Sequence, residues 1–250
     1  LKNTFSYIIF LIFLSLSRNI LLQQFLSKYC FVFSLLFSRS VAVKPVTVKD
    51  SLPVELVFVM DRSGSMSGFE ADTIGGYNTV LKEQGKGSNV IVTTVLFSHE
   101  YKVLFDGIKP EKAELNTDNY TVGGNTAMLD AIGKTINDIK AREKKLGKRK
   151  VIFVITTDGM ENASKEYTYA TVSKMIDEQQ KKNGWTFMFL GANIDASKEA
   201  ERLKIPVKQS ATYIQSTTGN DKMYRSLNEN ISNVQSGKEV DFSELEKNPE

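Results

Sequence analysis

Three apolar runs decide what this chain can fold into. Val54–Met60, Val151–Ile155 and Trp185–Leu190 are almost unbroken apolar stretches of strand length. Runs of that kind, without polar alternation, suit strands covered on both faces, as in a parallel sheet flanked by helices. The intervening sequence agrees. Phe69, Ile74, Tyr77 and Leu81 recur at roughly helical spacing before Gly85-Lys86-Gly87. A strand over Val90–Phe97 turns through Ser98-His99-Glu100 into another, Tyr101–Phe105, as a hairpin. Pro110–Tyr120 reads as polar and irregular. Leu129, Ile132, Ile136 and Ile139 then mark one face of a helix that Gly147 ends.

Strand Lys150–Thr156 is followed by a helix capped by Asn162 or Ser164, with Tyr169, Val172, Met175 and Ile176 inward and Gly184 at its end. Strand Trp185–Leu190 stops at Gly191, and Asp195 caps a short helix to Leu203. A strand around Val207–Tyr213 and a helix carrying Met223, Leu227, Ile231 and Val234 complete the pattern. Strands that alternate with helices give an α/β class with a mostly parallel sheet.

At 250 residues there is room for one sizeable domain and an extension. The expected division is a hydrophobic N-terminal segment (1–42), a linker (43–53), the α/β domain (54–236) and a loose acidic tail (237–250). Two readings of the first segment stay open. One is a signal peptide or membrane anchor, with a small-x-small cleavage pattern at Ser40-Val41-Ala42. The other is an extension that is not native protein. The first places the chain outside the cell or at a membrane through residues 1–40, and the second places it in the cytoplasm.

The net charge of +3 is uneven. Residues 1–48 hold five basic residues and no acid, which leaves 27 of the 32 basic residues against 29 acidic ones. That balance, −2, gives no argument for a nucleic-acid-binding surface in the domain. Cys30 is the only cysteine, so no intrachain disulfide forms.

The ends of the strands carry the chemistry. Val54–Met60 runs into Asp61-Arg62-Ser63-Gly64-Ser65, and Val151–Ile155 runs into Thr156-Thr157-Asp158-Gly159. Between them lies Gly123-Gly124-Asn125-Thr126. Asp61, Ser63, Ser65, Thr126 and Asp158 offer two carboxylates and three hydroxyls. Such an all-oxygen set selects a hard cation, Mg2+ foremost with Mn2+ as the alternative, because Ca2+ prefers more carboxylates. In an open α/β sheet, ligands sit beyond the carboxyl ends of the strands, where the strand order reverses.

These three ordered segments resemble the metal-ion-dependent adhesion site of von Willebrand factor type A domains, and the resemblance covers about residues 54–235. It implies a Rossmann-like, doubly wound, mostly parallel six-stranded sheet, order 3-2-1-4-5-6, with the third strand antiparallel and helices on both faces. It also implies Ser63 and Ser65 as direct metal ligands, with Asp61, Thr126 and Asp158 binding directly or through water. The partner it implies is a protein that presents Asp or Glu to the metal.

That is binding chemistry, with no catalytic residue expected. Two other functions compete with simple adhesion or adaptor work. One is Mg2+-dependent hydrolysis or phosphoryl transfer in the same crevice; the other is an adaptor role for a separate ATP-driven machine. Other motifs carry less. Gly133-Lys134-Thr135 lacks the first glycine of a phosphate loop, since Met128 stands there. Gly64-Ser65-Met66-Ser67-Gly68 has methionine where a nucleophile elbow needs serine. His99, the only histidine, reads as a hairpin residue, and the basic residues from Lys140 to Lys150 read as a solvated helix end.

Overall fold

The computed structural model describes residues 52–86 and 89–249. The hydrophobic N-terminal segment and nearly all of the linker lie outside the described residues. From Leu52 onward the chain forms one unit. In chain order its elements are β1 (Val54–Asp61), α1 (Glu70–Gln84), β2 (Val90–Phe97), β3 (Tyr101–Ile108), α2 (Met128–Leu146), β4 (Lys150–Thr157), α3 (Tyr169–Asn183), β5 (Thr186–Ala192), α4 (Ala196–Arg202), β6 (Ser210–Tyr213), α5 (Thr217–Gln235) and α6 (Ser243–Lys247). The strands form one sheet in the order β3-β2-β1-β4-β5-β6. Every pairing is parallel except β2 with β3.

The apolar runs behave as two-sided strands. Leu56, Phe58 and Met60 of β1, Ile152 and Val154 of β4, and Met188 and Leu190 of β5 face a core shared with α1 and α5. The alternate residues Val57, Val59, Phe153, Ile155, Phe187 and Phe189 face a second core shared with α2, α3 and α4. Alternation of side chains along a strand divides one apolar run between two faces, so both faces need helices.

Several local expectations are corrected. Gly191 lies inside β5, and a Cβ there would come within 2.7 Å of the Ile194 side chain, so glycine leaves room for the turn that follows. Thr168 caps α3, accepting from the Thr171 amide, so Asn162 and Ser164 are left for another task. β3 runs on to Ile108 across shifts of register, and β6 is only four residues long. The irregular stretch after β3 still buries Ala113, Leu115 and Tyr120.

The basic run is not uniformly solvated. Arg142 and Arg149 turn inward to Glu55, a fully buried carboxylate on β1. Arg142 also pairs with Asp106 of β3 and donates to Thr93 Oγ1 at 2.7 Å, while Thr93 donates to Glu55 Oε1 at 2.8 Å. A charge buried in a strand must be paired, and here two arginines from the end of α2 and the loop that follows it supply the pairing. Lys144, Lys145 and Lys148 remain exposed.

The tail expected to be loose is packed. Val240, Phe242 and Leu245 are buried in the α1/α5 core, and Ile214 and Thr212 at the β6 edge donate to Pro249 O and Glu246. Three apolar residues among acids anchor it, while Glu239, Asp241, Glu244 and Glu246 stay exposed. Phe242→Ala should therefore lower the unfolding free energy in urea by about 3 kcal/mol, the usual range for a phenylalanine removed from a core. A loose tail would leave it unchanged.

Candidate metal centre

β1 and β4 are neighbours in register, with Met60 opposite Thr156, so both strands deliver their last residues to one edge of the sheet. This edge is the topological switch point, because the chain leaves β1 toward β2 on one side and returns as β4 on the other. Asp61 ends β1 and is 1% exposed. Its Oδ1 accepts the Ser63 amide at 2.7 Å, which turns the chain, and its Oδ2 accepts the Thr157 hydroxyl at 2.6 Å. Tyr120 donates to the Asp61 carbonyl at 2.8 Å. Burial holds the Tyr120 hydroxyl well above its ordinary pKa, which keeps it a donor.

The remaining candidates converge on the same place. Ser63 and Ser65 bring their hydroxyl oxygens to 3.1 Å, and Ser65 donates to Asp158 Oδ1 at 2.7 Å. The other Asp158 oxygen accepts from Gln215 at 3.2 Å, which reaches over from the loop between β6 and α5. Thr126 is buried, and its hydroxyl faces Gly159. A Cβ on Gly159 would lie 3.1 Å from Thr126 Oγ1 and 3.7 Å from Ser65 Oγ, so glycine leaves the space between these two hydroxyls clear. All five sequence-derived residues are thereby brought together.

Two backbone bonds lock the loops that carry them. Gly64 N donates to Gly124 O at 3.0 Å, and Gly123 N donates to Arg62 O at 2.7 Å. Gly124 has φ +84°, and a Cβ there would fall 2.0 Å from His99 Nδ1. The left-handed φ is what requires glycine, and the His99 ring occupies the space a side chain would take. His99 is thus a packing partner of the glycine loop.

The segment after Asp158 does work that sequence reading assigned elsewhere. Asn162 accepts from the Thr126 amide at 3.0 Å, and Asn162 N returns a bond to Thr126 O. Glu161 accepts from Leu129 N and Ser164 from Asp130 N, satisfying first-turn amides of α2 that have no partner within the helix. Asp130 accepts in return from the amides of Lys165, Glu166 and Tyr167. Burial opposes the Asp130 charge, but these three donors outweigh it and its pKa is lowered. Thr126 is held from both sides by this exchange. A glutamate three residues after Asp158 was the available signal, yet nothing local says which helix it caps.

Asp61 behaves differently. Burial pushes its pKa up to about 6, against the hydrogen bonds from Thr157 and Ser63, and the charge of Asp158 adds to the rise. A carboxylate held out of water beside another acid suits a cation partner. The donor set agrees: two carboxylates balance a divalent charge and three hydroxyls fill coordination places, as hard cations prefer. Among the described residues no group of three or more His, Cys, Asp or Glu could hold a metal ion, so this centre depends on its hydroxyls as well as its carboxylates.

A family model described as the von Willebrand factor type A domain matches residues 55–235. No curated protein matches the chain in sequence. Among solved structures, a von Willebrand factor type A protein from Catenulispora acidiphila is similar at 16% identity and TM-score 0.53, over 72% of this chain and 42% of that one. The pilus adhesin SpaC from Lactobacillus rhamnosus GG, in an open conformation, matches at 14% identity and TM-score 0.56, over 73% and 30%. Proximal thread matrix protein 1 from the mussel byssus, with a zinc-occupied MIDAS motif, matches at 14% identity and TM-score 0.52, over 71% and 45%. The chain spans less than half the length of each, and at these identities the likeness is one of fold.

The raised Asp61 pKa sets a pH dependence. In chelator, the native state holds the Asp61 proton more tightly than the unfolded chain does. Its contribution to stability is therefore complete below about pH 4 and lost as pH rises through about 6. Relative to Asp61→Asn, the chelated wild type should lose about 2 kcal/mol between pH 4 and 7 in denaturant titrations. Saturating Mg2+ should remove most of that loss. Parallel pH curves for the two proteins would contradict the assignment.

Proposed function

The chain belongs to the von Willebrand factor type A family, and from that premise we propose that it is a metal-dependent protein-binding module of adaptor or adhesion type. Asp61, Ser63, Ser65, Thr126 and Asp158 would hold a Mg2+, with Mn2+ as the alternative, and an Asp or Glu of a protein partner would complete its coordination. The observation that carries this reading is the hydrogen-bonded run from Ser63 through Ser65 to Asp158, with Thr126 across the gap at Gly159. It joins side chains from three distant segments, all of them oxygen donors.

Each residue has a distinct part. Thr157 and the Ser63 amide orient the Asp61 carboxylate, and Ser65 and Gln215 orient that of Asp158. The metal supplies an electrophilic point that three neutral hydroxyls do little to neutralise, so an incoming carboxylate is attracted by charge as well as by coordination. The glycine loop and the capped start of α2 keep Thr126 in place.

Binding is favoured over hydrolysis by what surrounds the acids. Two residues after Asp61 stands Ser63, not a second acid that could act as nucleophile or base. His99 is packed against Gly124 on the hairpin, and both carboxylates of the set are engaged by hydroxyl or amide donors. The partner belongs to the class of proteins with an exposed acidic residue; a separate ATP-driven machine is one such candidate.

Calorimetry tests the reading directly. Asp158→Ala and Asp61→Asn should each weaken Mg2+ binding by about 10- to 100-fold while the circular dichroism spectrum stays folded. Unchanged Mg2+ heats in both variants would sink the proposal.

A further inference from the structure

The tip of the β2–β3 hairpin is built into the rim of the candidate metal centre. Ala127 N, next to Thr126, donates to Ser98 O at 2.8 Å. His99 fills the space beside Gly124. Arg62, which stands between Asp61 and Ser63, donates from Nη2 to Glu100 Oε2 at 2.7 Å, and its backbone amide bonds Phe97 O at 2.7 Å.

The Arg62–Glu100 pair is unequal. The Arg62 side chain is 15% exposed, and that of Glu100 is 65% exposed. The Arg62 Nε is buried without an acceptor, and Nη1 has only a long contact of 3.4 Å to Thr121 O. A guanidinium largely withdrawn from water is therefore left incompletely bonded, and its ionic partner keeps most of its own hydration. Such a partner contributes little, because solvent screens the pair. A carboxylate brought in on a protein surface, able to make paired bonds to the planar fork while water is excluded, interacts more strongly.

We propose that Arg62 is a second anchor of the site: a second carboxylate of the partner displaces Glu100 from Arg62 while the first completes the metal, so the partner surface is diacidic. Glu100 serves as an internal stand-in that holds the guanidinium in the free protein. This inference rests on the reading of the site as a metal-dependent carboxylate receptor. It adds a requirement that the metal alone does not impose, since one cation selects one acid and cannot select a pair.

The test uses the full chain in Mg2+ and fluorescent Gly/Ser peptides that carry either one Glu or two Glu at a series of separations, titrated by anisotropy. At the best separation the two-Glu peptide should bind wild type about tenfold more tightly than the one-Glu peptide. That ratio should fall to about one in Arg62→Met and rise in Glu100→Gln, where the internal competitor has lost its charge. A ratio that is the same in wild type and Arg62→Met, or one that falls in Glu100→Gln, overturns the second anchor and leaves metal-dependent binding standing. Absence of Mg2+-dependent binding by every peptide overturns both. Should Arg62→Met fail to fold, as judged by its melting curve, the direction of change in Glu100→Gln decides.

Discussion

The carboxylate of Asp61 is the constraint on which the rest of the site depends. It is buried at the end of β1, and its two oxygens are committed to different parts of the chain. One fixes the turn at Ser63; the other reaches Thr157, 96 residues away at the end of β4. A buried acid must be satisfied on both oxygens or pay in desolvation. The adjacency of β1 and β4 makes this satisfaction available, so sheet order and site geometry are one arrangement. Asp158 then follows Thr157 on the same strand end and meets Ser65 at the rim.

Around that pair the loops are held by exchange of backbone and side-chain bonds. The glycine loop is joined to the first loop by Gly64 and Gly123, and to the hairpin by Ser98 and His99. The segment after Asp158 gives its side chains to the start of α2, and Asp130 of α2 accepts the amides of that segment. The amides at the start of a helix need acceptors from outside it. Here that need ties the loop bearing Thr126 to the loop bearing Asp158, so the hydroxyl and the carboxylate cannot move apart independently.

Charge is distributed with the same economy. At the far end of β1, Glu55 is surrounded by Arg142, Arg149 and Thr93, a cluster that joins β1, β2 and the end of α2. At the site end, Arg62 is largely buried with only an exposed glutamate as its ionic partner. In the first network every charge faces an opposite one, although Glu55 Oε2 and Arg149 Nε, 3.7 Å apart, make no hydrogen bond. The second leaves Arg62 Nε without an acceptor, beside the candidate metal centre.

The sequence by itself determined the layers and the chemistry. Unbroken apolar runs specified strands with two covered faces, helical spacing specified the covers, and residues at the ends of β1 and β4 and in the glycine loop specified an oxygen-rich centre. These features are local, because periodicity and burial are written in neighbouring residues. Only the tertiary structure decided which distant groups complete them. Thr157 on Asp61, Gln215 on Asp158, Glu161 and Ser164 on α2, and Glu100 on Arg62 are contacts between segments that no short window contains. The same holds for the inward turn of Arg142 and Arg149 and for the packing of Phe242. A polar residue in a loop can satisfy many donors, and a lysine-arginine run can be solvated or recruited. Strand order and the need to satisfy each buried charge make that choice, and both arise only when the sheet is assembled.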